Sequence, residues 1–426
     1  MKHIEHSHTH GKTNKINVNQ ILKMLDSDAL AGFALQTNVD FHARKLQGLE
    51  LLKLHLQGAF LYGNKLSQAA MKRFYESGYF INTACKIGRD TITKAAISKR
   101  LCHINPEFFR LVYENSVQKW SPILEKCQKE VIPGLHIQAV DSSIVVQTTR
   151  ILSSGIHAGG RDGGDKGRKG VKYTMAYDGI DVTYAAAHTL PRYADEDNAL
   201  GEAILSMVKK DETTKANSIY TFDRGVKGGQ LISDFKSEGL RFVGRLNNNR
   251  KLDVVEDSRA PEGELPAGSR LVSDSMVRIY GSDPRNPLPQ IFRVIKVDLG
   301  HAIGSRSRNR KRTETVLTLI TDELELSVSE IMEIYRFRWT IEVFFKFLKQ
   351  NLNFSHLLSG SENGLTVILY LTLIEALLLK TYCALNECGP KLATTEIWLQ
   401  LGEGIADYIA ERKYNTRISE NPDKYT

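Results

Sequence analysis

Glu333–Gln350 reads EIYRFRWTIEVFFKFLKQ and carries four side chains suited to handling phosphate and metal: Tyr335, Arg338, Glu342 and Lys349. The stretch lacks Gly and Pro and its apolar residues recur at helical spacing, which predicts a helix. At about 100° per residue the four project within about 60° of one another. Ile334, Phe337, Ile341, Phe344 and Leu348 gather on a different side. One face can therefore bury while a second presents a phenol, a guanidinium, a carboxylate and an ammonium. A carboxylate oxygen suits a hard cation, and the donors suit phosphate oxygens beside it.

Two aspartates can supply further oxygen ligands. Asp141 lies within LHIQAVDSSIVVQ, a run rich in β-branched residues that follows the turn pair Pro133-Gly134 and predicts a strand. Asp223 stands at the end of a second predicted strand, SIYTF. Both follow apolar residues, so each would emerge from a rigid, buried element. With no Cys or His ligand set, three carboxylates favour Mg²⁺ or Mn²⁺. Two such ions, roughly 3.5–4 Å apart, can activate an attacking hydroxyl and stabilise the leaving oxygen of a phosphodiester. Taken singly, each acid has a plainer reading, as a cap beside a turn or an exposed helical Glu. It is the helix face together with two strand-borne aspartates that points to metal-assisted phosphoryl chemistry.

The elements that must position these residues follow along the chain. Residues 1–14 are polar and expected as a disordered tail, with His3, His6, His8 and His10 solvated rather than metal-bound. Residues 15–130 show helical patterns: QILKMLDSDAL, GLELLKLHLQGAFLYG, LSQAAMKRFYES and DTITKAAISKRL. In the last, Asp90 can cap a helix carrying Lys94, Lys99 and Arg100; a DNA major groove and a solvated face suit that helix equally. From 135 to 355 the pattern turns to α/β. The Asp141 strand, YTMAYDG and DVTYAAAHTL predict an antiparallel meander, and DEDNALGEAILSMVKK a helix with an acidic start and basic end. The SIYTF strand, a helix over GGQLISDFKSEG and a strand over RFVGRL come next. Residues 247–313 alternate β-like runs with Gly/Pro turns and predict a β-rich insertion. It ends in a basic hairpin with Arg306, Arg308, Arg310, Lys311 and Arg312, a candidate phosphate contact. The strand TVLTLITD leads into the Tyr335 helix, and 356–426 predict a helical C-terminal region.

The spacing Tyr335-x2-Arg338-x3-Glu342-x6-Lys349 resembles the Y-R-E-K signature of DDE transposases of insertion sequences, specifically insertion-sequence family four. VDSSI around Asp141 and TFDRG around Asp223 are similar to that family's first and second acidic blocks. The resemblance implies a ribonuclease-H-like core, a mixed sheet flanked by helices, in which Asp141, Asp223 and Glu342 bind the metals. It implies that Tyr335, Arg338 and Lys349 hold the terminal phosphates of the transposon end. Arg224 is a further candidate phosphate contact or a surface salt bridge. The implied activity is cut-and-paste transposition: hydrolysis at the element's ends, then transfer of the 3′-hydroxyl into target DNA. The implied partners are double-stranded DNA, terminal inverted repeats and target alike, and a second copy of the chain in a dimeric synapse. The implied compartment is the bacterial cytoplasm, beside the nucleoid. Relatives that pass through a DNA hairpin insert an aromatic from the β-rich domain behind a flipped base. None of Trp120, Trp339 and Trp398 lies in 247–313, leaving Tyr280 or Phe292 as substitutes. Trp339, beside the functional face, is expected to pack.

Composition narrows the field. The chain has 426 residues, enough for two or three domains, ordinary apolar content and a net charge of +8 that favours a polyanionic partner. Cys85, Cys102, Cys127, Cys383 and Cys388 form no CxxC pair, so a zinc site is not expected and a reducing cytoplasm is the default. The polar, His-rich start is not expected to act as a secretory signal. The apolar run Leu365–Leu379 contains Glu375 and predicts a buried core helix rather than a membrane span. The loop Ala158–Lys172 matches neither a Walker A motif nor a GxGxxG fingerprint, which disfavours nucleotide binding. Its Arg161, Lys166, Arg168 and Lys169 can follow a DNA backbone or sit in a solvated hairpin, and His157 and His188 are expected in ordinary roles. Two other functions fit less well: a catalytically silent, transposase-derived DNA-binding regulator, and a stand-alone ribonuclease-H-like nuclease.

Overall fold

The helical pattern of residues 15–130 becomes a run of helices: α1 (Val18–Lys23), α2 (Ser27–Gln36), α3 (Gly48–Tyr62), α4 (Gln68–Tyr75), α5 (Gly78–Ala84), α6 (Lys94–His103) and α7 (Pro106–Glu125). The structure is a computed structural model and describes residues 16–420 except 26, 85–90, 127–129, 148–151, 153–154, 158–168, 211–216, 258–264, 266 and 302–314. The expectations for the tail 1–14, Asp90, Arg161, Lys166, Arg168 and the hairpin Arg306, Arg308, Arg310, Lys311 and Arg312 lie outside the described residues. Helix α6 begins at Lys94 because Thr93 caps it, accepting the Ala96 N–H at 3.0 Å. Arg100, a candidate DNA contact, is committed to the protein instead. Its guanidinium donates to Leu46 O at 2.9 Å, to Val39 O at 2.8 Å and to Asp40 Oδ1 at 3.0 Å. It thereby ties down a loop in which Asn38, His42 and Leu46 adopt φ of 49°, 64° and 58°, a region costly for side-chain-bearing residues.

The chain divides into two compact units. One combines Met1–Cys127, Asn351–Asn353 and Tyr370–Thr426; the other comprises Gln128–Gln350 and Phe354–Leu369. Residues 15–130 and 356–426, expected as separate regions, thus largely share one unit.

The second unit is built on a mixed sheet of ten strands among the described residues. Its strands are β1 (His136–Gln147), β2 (Ile156–His157), β3 (Lys169–Tyr177), β4 (Val182–His188), β5 (Ser218–Phe222), β6 (Arg241–Arg245), β7 (Leu252–Glu256), β8 (Arg270–Tyr280), β9 (Pro287–Asp298) and β10 (Val316–Thr321). The meander pairs β1 with β3 and β3 with β4, both antiparallel. Helix α8 (Glu196–Lys210) leads to β5, which lies parallel to β1, and α9 (Gly229–Ser237) leads to β6, parallel to β5. Then β10 runs antiparallel to β6, with β9, β8 and β7 beyond it. The strands β7, β8 and β9, which fall in the expected β-rich insertion, therefore extend the same sheet. Their ladder continues onto β10, and Val277, Ile279, Phe292 and Val294 join the apolar cluster of Val140, Phe222, Phe235 and Phe242.

Opposed residues of an antiparallel pair share a face. Asp141 faces Met175 and Ser143 faces Tyr173, so these lie on one side of the sheet, with Ala139 and Tyr177. Val140 and Ala176 lie on the other, packed with Leu200, Ala203 and Ile204 of α8. The signature stretch was expected as one helix and forms two, α10 (Val328–Phe337) and α11 (Trp339–Asn351). Ser327 opens α10 with a reciprocal capping box to Glu330. At the junction the Arg338 N–H turns to Tyr335 O at 3.1 Å, an i→i−3 bond that tightens the turn. Arg338 keeps helical dihedrals (φ −49°, ψ −31°), so the functional face survives the break. Helix α11 covers the Asp141 side: Phe344 stacks on Tyr177 with ring centroids 4.5 Å apart.

Helices α12 (Glu362–Asn386) and α13 (Pro390–Glu420) follow. α12 is long and apolar enough to cross a membrane, and 78% of its apolar window is buried. In the first unit, α13 closes on the start of the chain: Gln400 accepts the Val18 N–H at 2.7 Å. Ala393, Ile397 and Leu401 are its buried residues.

Candidate active site

Asp141 stands in the middle of β1, where the strand fixes its backbone. Its Oδ1 accepts the Ser142 N–H at 2.7 Å. Burial pushes its carboxyl up to about 6; the carboxylates of Glu196 and Glu342 push the same way, while the Ser142 N–H and the Arg338 guanidinium oppose them. Asp223 follows β5 directly, on a turn. Its Oδ1 accepts the Tyr335 hydroxyl at 3.2 Å and lies 3.9 Å from the Arg245 guanidinium. Glu342, in the first turn of α11, pairs with Arg338 at 2.7 Å.

Arg338 is the hub. It is buried, its guanidinium lies 5.6 Å from the Tyr335 ring centre, and it pairs with Glu342. Burial disfavours its charge, yet Tyr335, Asp223 and Glu342 outweigh that and hold its pKa above the usual arginine value. Tyr335 is pushed up to about 12 by burial, with Asp223 adding to the rise. Lys349 donates to Ser143 Oγ at 2.6 Å, two residues along β1 from Asp141. Burial lowers the Lys349 ammonium, and Asp141 opposes the shift.

The fold thus brings acids 82 and 119 residues apart in sequence (223 − 141 and 342 − 223) into one electrostatic neighbourhood around Arg338. It does not gather them into a ready-made cage: among the described residues, no three or more acidic, His or Cys side chains lie close enough together to hold a metal ion. Glu342 is turned to Arg338, and Asp223 to Tyr335.

Residues 133–378, more than half of the chain, match the model of the family described as Transposase DDE domain. The chain belongs to the DDE transposase family. A protein of Synechocystis sp. named "Putative transposase for insertion sequence element IS4SA" is 26% identical over 278 residues, which cover 64% of this chain and 68% of that relative. A Sinorhizobium fredii protein named "Putative transposase y4zB" is 26% identical over 173 residues, covering 40% of this chain and 44% of its own.

Other residues singled out in the transposase sequence fall in varied places. Trp339, expected to pack, is 60% exposed at the start of α11. Phe292 is buried in the apolar cluster and is not available to a base; Tyr280 lies under the Lys251 ammonium, 4.3 Å from its ring centre. Trp120 is buried, and Trp398 is exposed on α13 in the other unit. Arg224 is half-buried in the Asp223 turn. His188 is buried and stacks on Tyr193 at 3.9 Å, with burial lowering its pKa. Lys169 begins β3, and His157 ends β2.

Four neighbours of the site escaped the sequence reading: Ser143, Lys172, Glu196 and Arg245. Arg245 and Lys172 are buried charges inside strands. A charge within an apolar, β-branched run is the one signal available for both. Glu196 was visible only as part of an acidic helix start.

Proposed function

We propose that the transposase cuts DNA at the ends of its element and joins the freed 3′-hydroxyl to target DNA, using Asp141, Asp223 and Glu342 as a metal-binding triad. The observation that carries this reading is the convergence of the three acids and Tyr335 on Arg338. The strand order supports a ribonuclease-H-like core: an antiparallel meander followed by two parallel strands, each reached through a helix.

The residues fit a hard divalent cation. Their donors are carboxylate oxygens, and Asp141 carries a charge that burial, Glu196 and Glu342 all disfavour, as a carboxylate short of positive partners does. Asp141, Asp223 and Glu342 would hold one or two Mg²⁺ or Mn²⁺ ions, with Glu342 giving up its pairing to Arg338. Bound there, the ions supply Lewis-acid activation of the attacking oxygen and stabilisation of the leaving one. The chain's own groups do the rest. Arg338, released from Glu342, offers a planar fork to two phosphate oxygens. Tyr335 donates its hydroxyl, and its raised pKa keeps it protonated for that task. Lys349, anchored beside Asp141 through Ser143, adds a point charge to the same backbone. Each step is an in-line displacement at phosphorus that needs no covalent bond to the protein.

The helices of 15–130 are proposed to recognise the terminal repeats, with Arg224 and the hairpin Arg306–Arg312 as further phosphate contacts. Pairing two ends implies a homodimeric synapse, to which 356–426 contribute. The name of the Synechocystis relative supports the resemblance to insertion-sequence family four, and a bacterial cytoplasmic setting beside the nucleoid is proposed with it. The test is nicking of an end-containing duplex with and without Mg²⁺. Asp141→Asn is expected to bind end DNA as wild type does and to lose cleavage. Full strand cleavage by that variant would remove the assignment.

A further inference from the structure

The turn that carries Asp223 rests on the first turn of α8. A Cβ placed on Gly225 would meet Glu196 Cγ at 2.9 Å and Cβ at 3.2 Å, so glycine at 225 permits this close approach. Asp197 Oδ1 accepts the Lys227 N–H at 2.6 Å, and a Cβ on Gly228 would meet Asp197 Oδ2 at 3.2 Å. Arg250 donates to the Lys227 carbonyl at 2.7 Å. Glu196 is itself pinned. Lys172 of β3, 1% exposed, sets its Nζ 2.9 Å from Glu196 Oε1 and donates to Ala194 O at 3.2 Å. A buried ammonium without such partners is costly, which commits Lys172 to the start of α8. Lys172 lies opposite Ile144 in the register that also places Asp141 opposite Met175. A short chain of contacts therefore runs from the β1–β3 pair through Lys172 and Glu196 to the Asp223 turn.

We infer that Glu196, anchored by Lys172, is a positioning residue that sets the Asp223 turn at its working distance from Asp141. The inference rests on the assignment of those two aspartates to the metal site. Glu196 acts through Gly225, by the space its side chain fills and by where Lys172 holds it. Outer contacts of this kind typically change metal affinity or activity by about 10–100-fold when lost.

The experiment measures nicking of end-containing duplex by the full chain against Mg²⁺ concentration, with end-DNA binding and Tm recorded for each variant. Glu196→Ala is expected to raise the Mg²⁺ concentration for half-maximal nicking about 10-fold or more. DNA binding stays near wild type, while Tm falls because Lys172 keeps its buried ammonium and loses the carboxylate paired with it. Glu196→Gln fills the same space, keeps an oxygen for Lys172 and restores most of the Mg²⁺ dependence. Gly225→Ala reproduces the defect, and adding Glu196→Ala to it recovers part of the loss by making room for the new Cβ. Wild-type Mg²⁺ dependence in Glu196→Ala, or defects of the two substitutions that simply add, would overturn the inference. Should Glu196→Ala fail to fold, Gly225→Ala decides by the same shift. Asp141→Asn runs alongside: if it nicks like wild type, the metal-site assignment fails, whereas its silence beside a normal Glu196→Ala sinks the positioning role alone.

Discussion

Burial decides the chemistry of single residues in both units. At the site it acts on Asp141, Tyr335 and Lys349, each shifted toward its neutral form. A carboxylate in that condition gains most from a cation. Away from the site, burial does the same with no catalytic use. His55 and Glu375 lie buried with Nε2 and Oε2 3.8 Å apart, too far for a hydrogen bond. Burial lowers His55 from 6.5 to about 4 and raises Glu375 well above 4.5. The two shifts have opposite signs in stability. The unfolded chain protonates at His55 first as pH falls from 6.5 toward 4, so acid destabilises through that residue. It ionises first at Glu375 as pH rises above 4.5, so alkali destabilises through this one. Glu375→Gln is therefore expected to melt at least about 2 °C above wild type at pH 8, with the gain vanishing toward pH 4.5. Melting curves across that range check it; a gain independent of pH would exclude ionisation of Glu375 as the cause.

At the scale of elements, the strands of 247–313 support the helix that carries Tyr335. Arg293 on β9 pairs with Asp274 on β8 through two bonds, at 2.9 and 2.7 Å, and both side chains are buried. The same guanidinium donates to Leu326 O at 2.5 Å, immediately before the Ser327 cap of α10. The sheet extension thereby fixes where α10 starts, and so where Tyr335 meets Asp223. Asp274→Ala leaves Arg293 buried and uncompensated and is expected to cost about 3–5 kcal/mol of unfolding free energy. Urea melts measure this, and a loss below about 1 kcal/mol would show that the pair is dispensable. The break between α10 and α11 belongs to this scale too. No Gly or Pro announces it, and the buried Arg338 sits at the tightened turn.

For the whole molecule, the first unit draws on both ends of the chain. Asn386 donates to Ile16 O at 3.2 Å and Gln400 accepts the Val18 N–H. Ala393, Ile397 and Leu401 of α13 are buried. Removing 390–426 exposes the apolar surface they cover, so the truncated chain is expected to be cut faster by protease within 16–126. Limited proteolysis followed by mass analysis of the fragments reports it; protection equal to the full chain would mean that α1–α7 hold together without α13.

Local order determined much of what could be read directly from the residues. The β-branched run around Asp141, the apolar strand before Asp223 and the 100° spacing of Tyr335, Arg338, Glu342 and Lys349 are properties of short segments, legible because backbone geometry repeats every two or 3.6 residues. Tertiary structure alone decided which strand lies beside which, so that β7, β8 and β9, expected as a β-rich insertion, continue the main sheet. It also decided which charges are buried. Lys172, Glu196 and Arg245 acquire their meaning only from partners distant in sequence, because a charge's cost and use depend on the dielectric and the neighbours that the finished fold supplies.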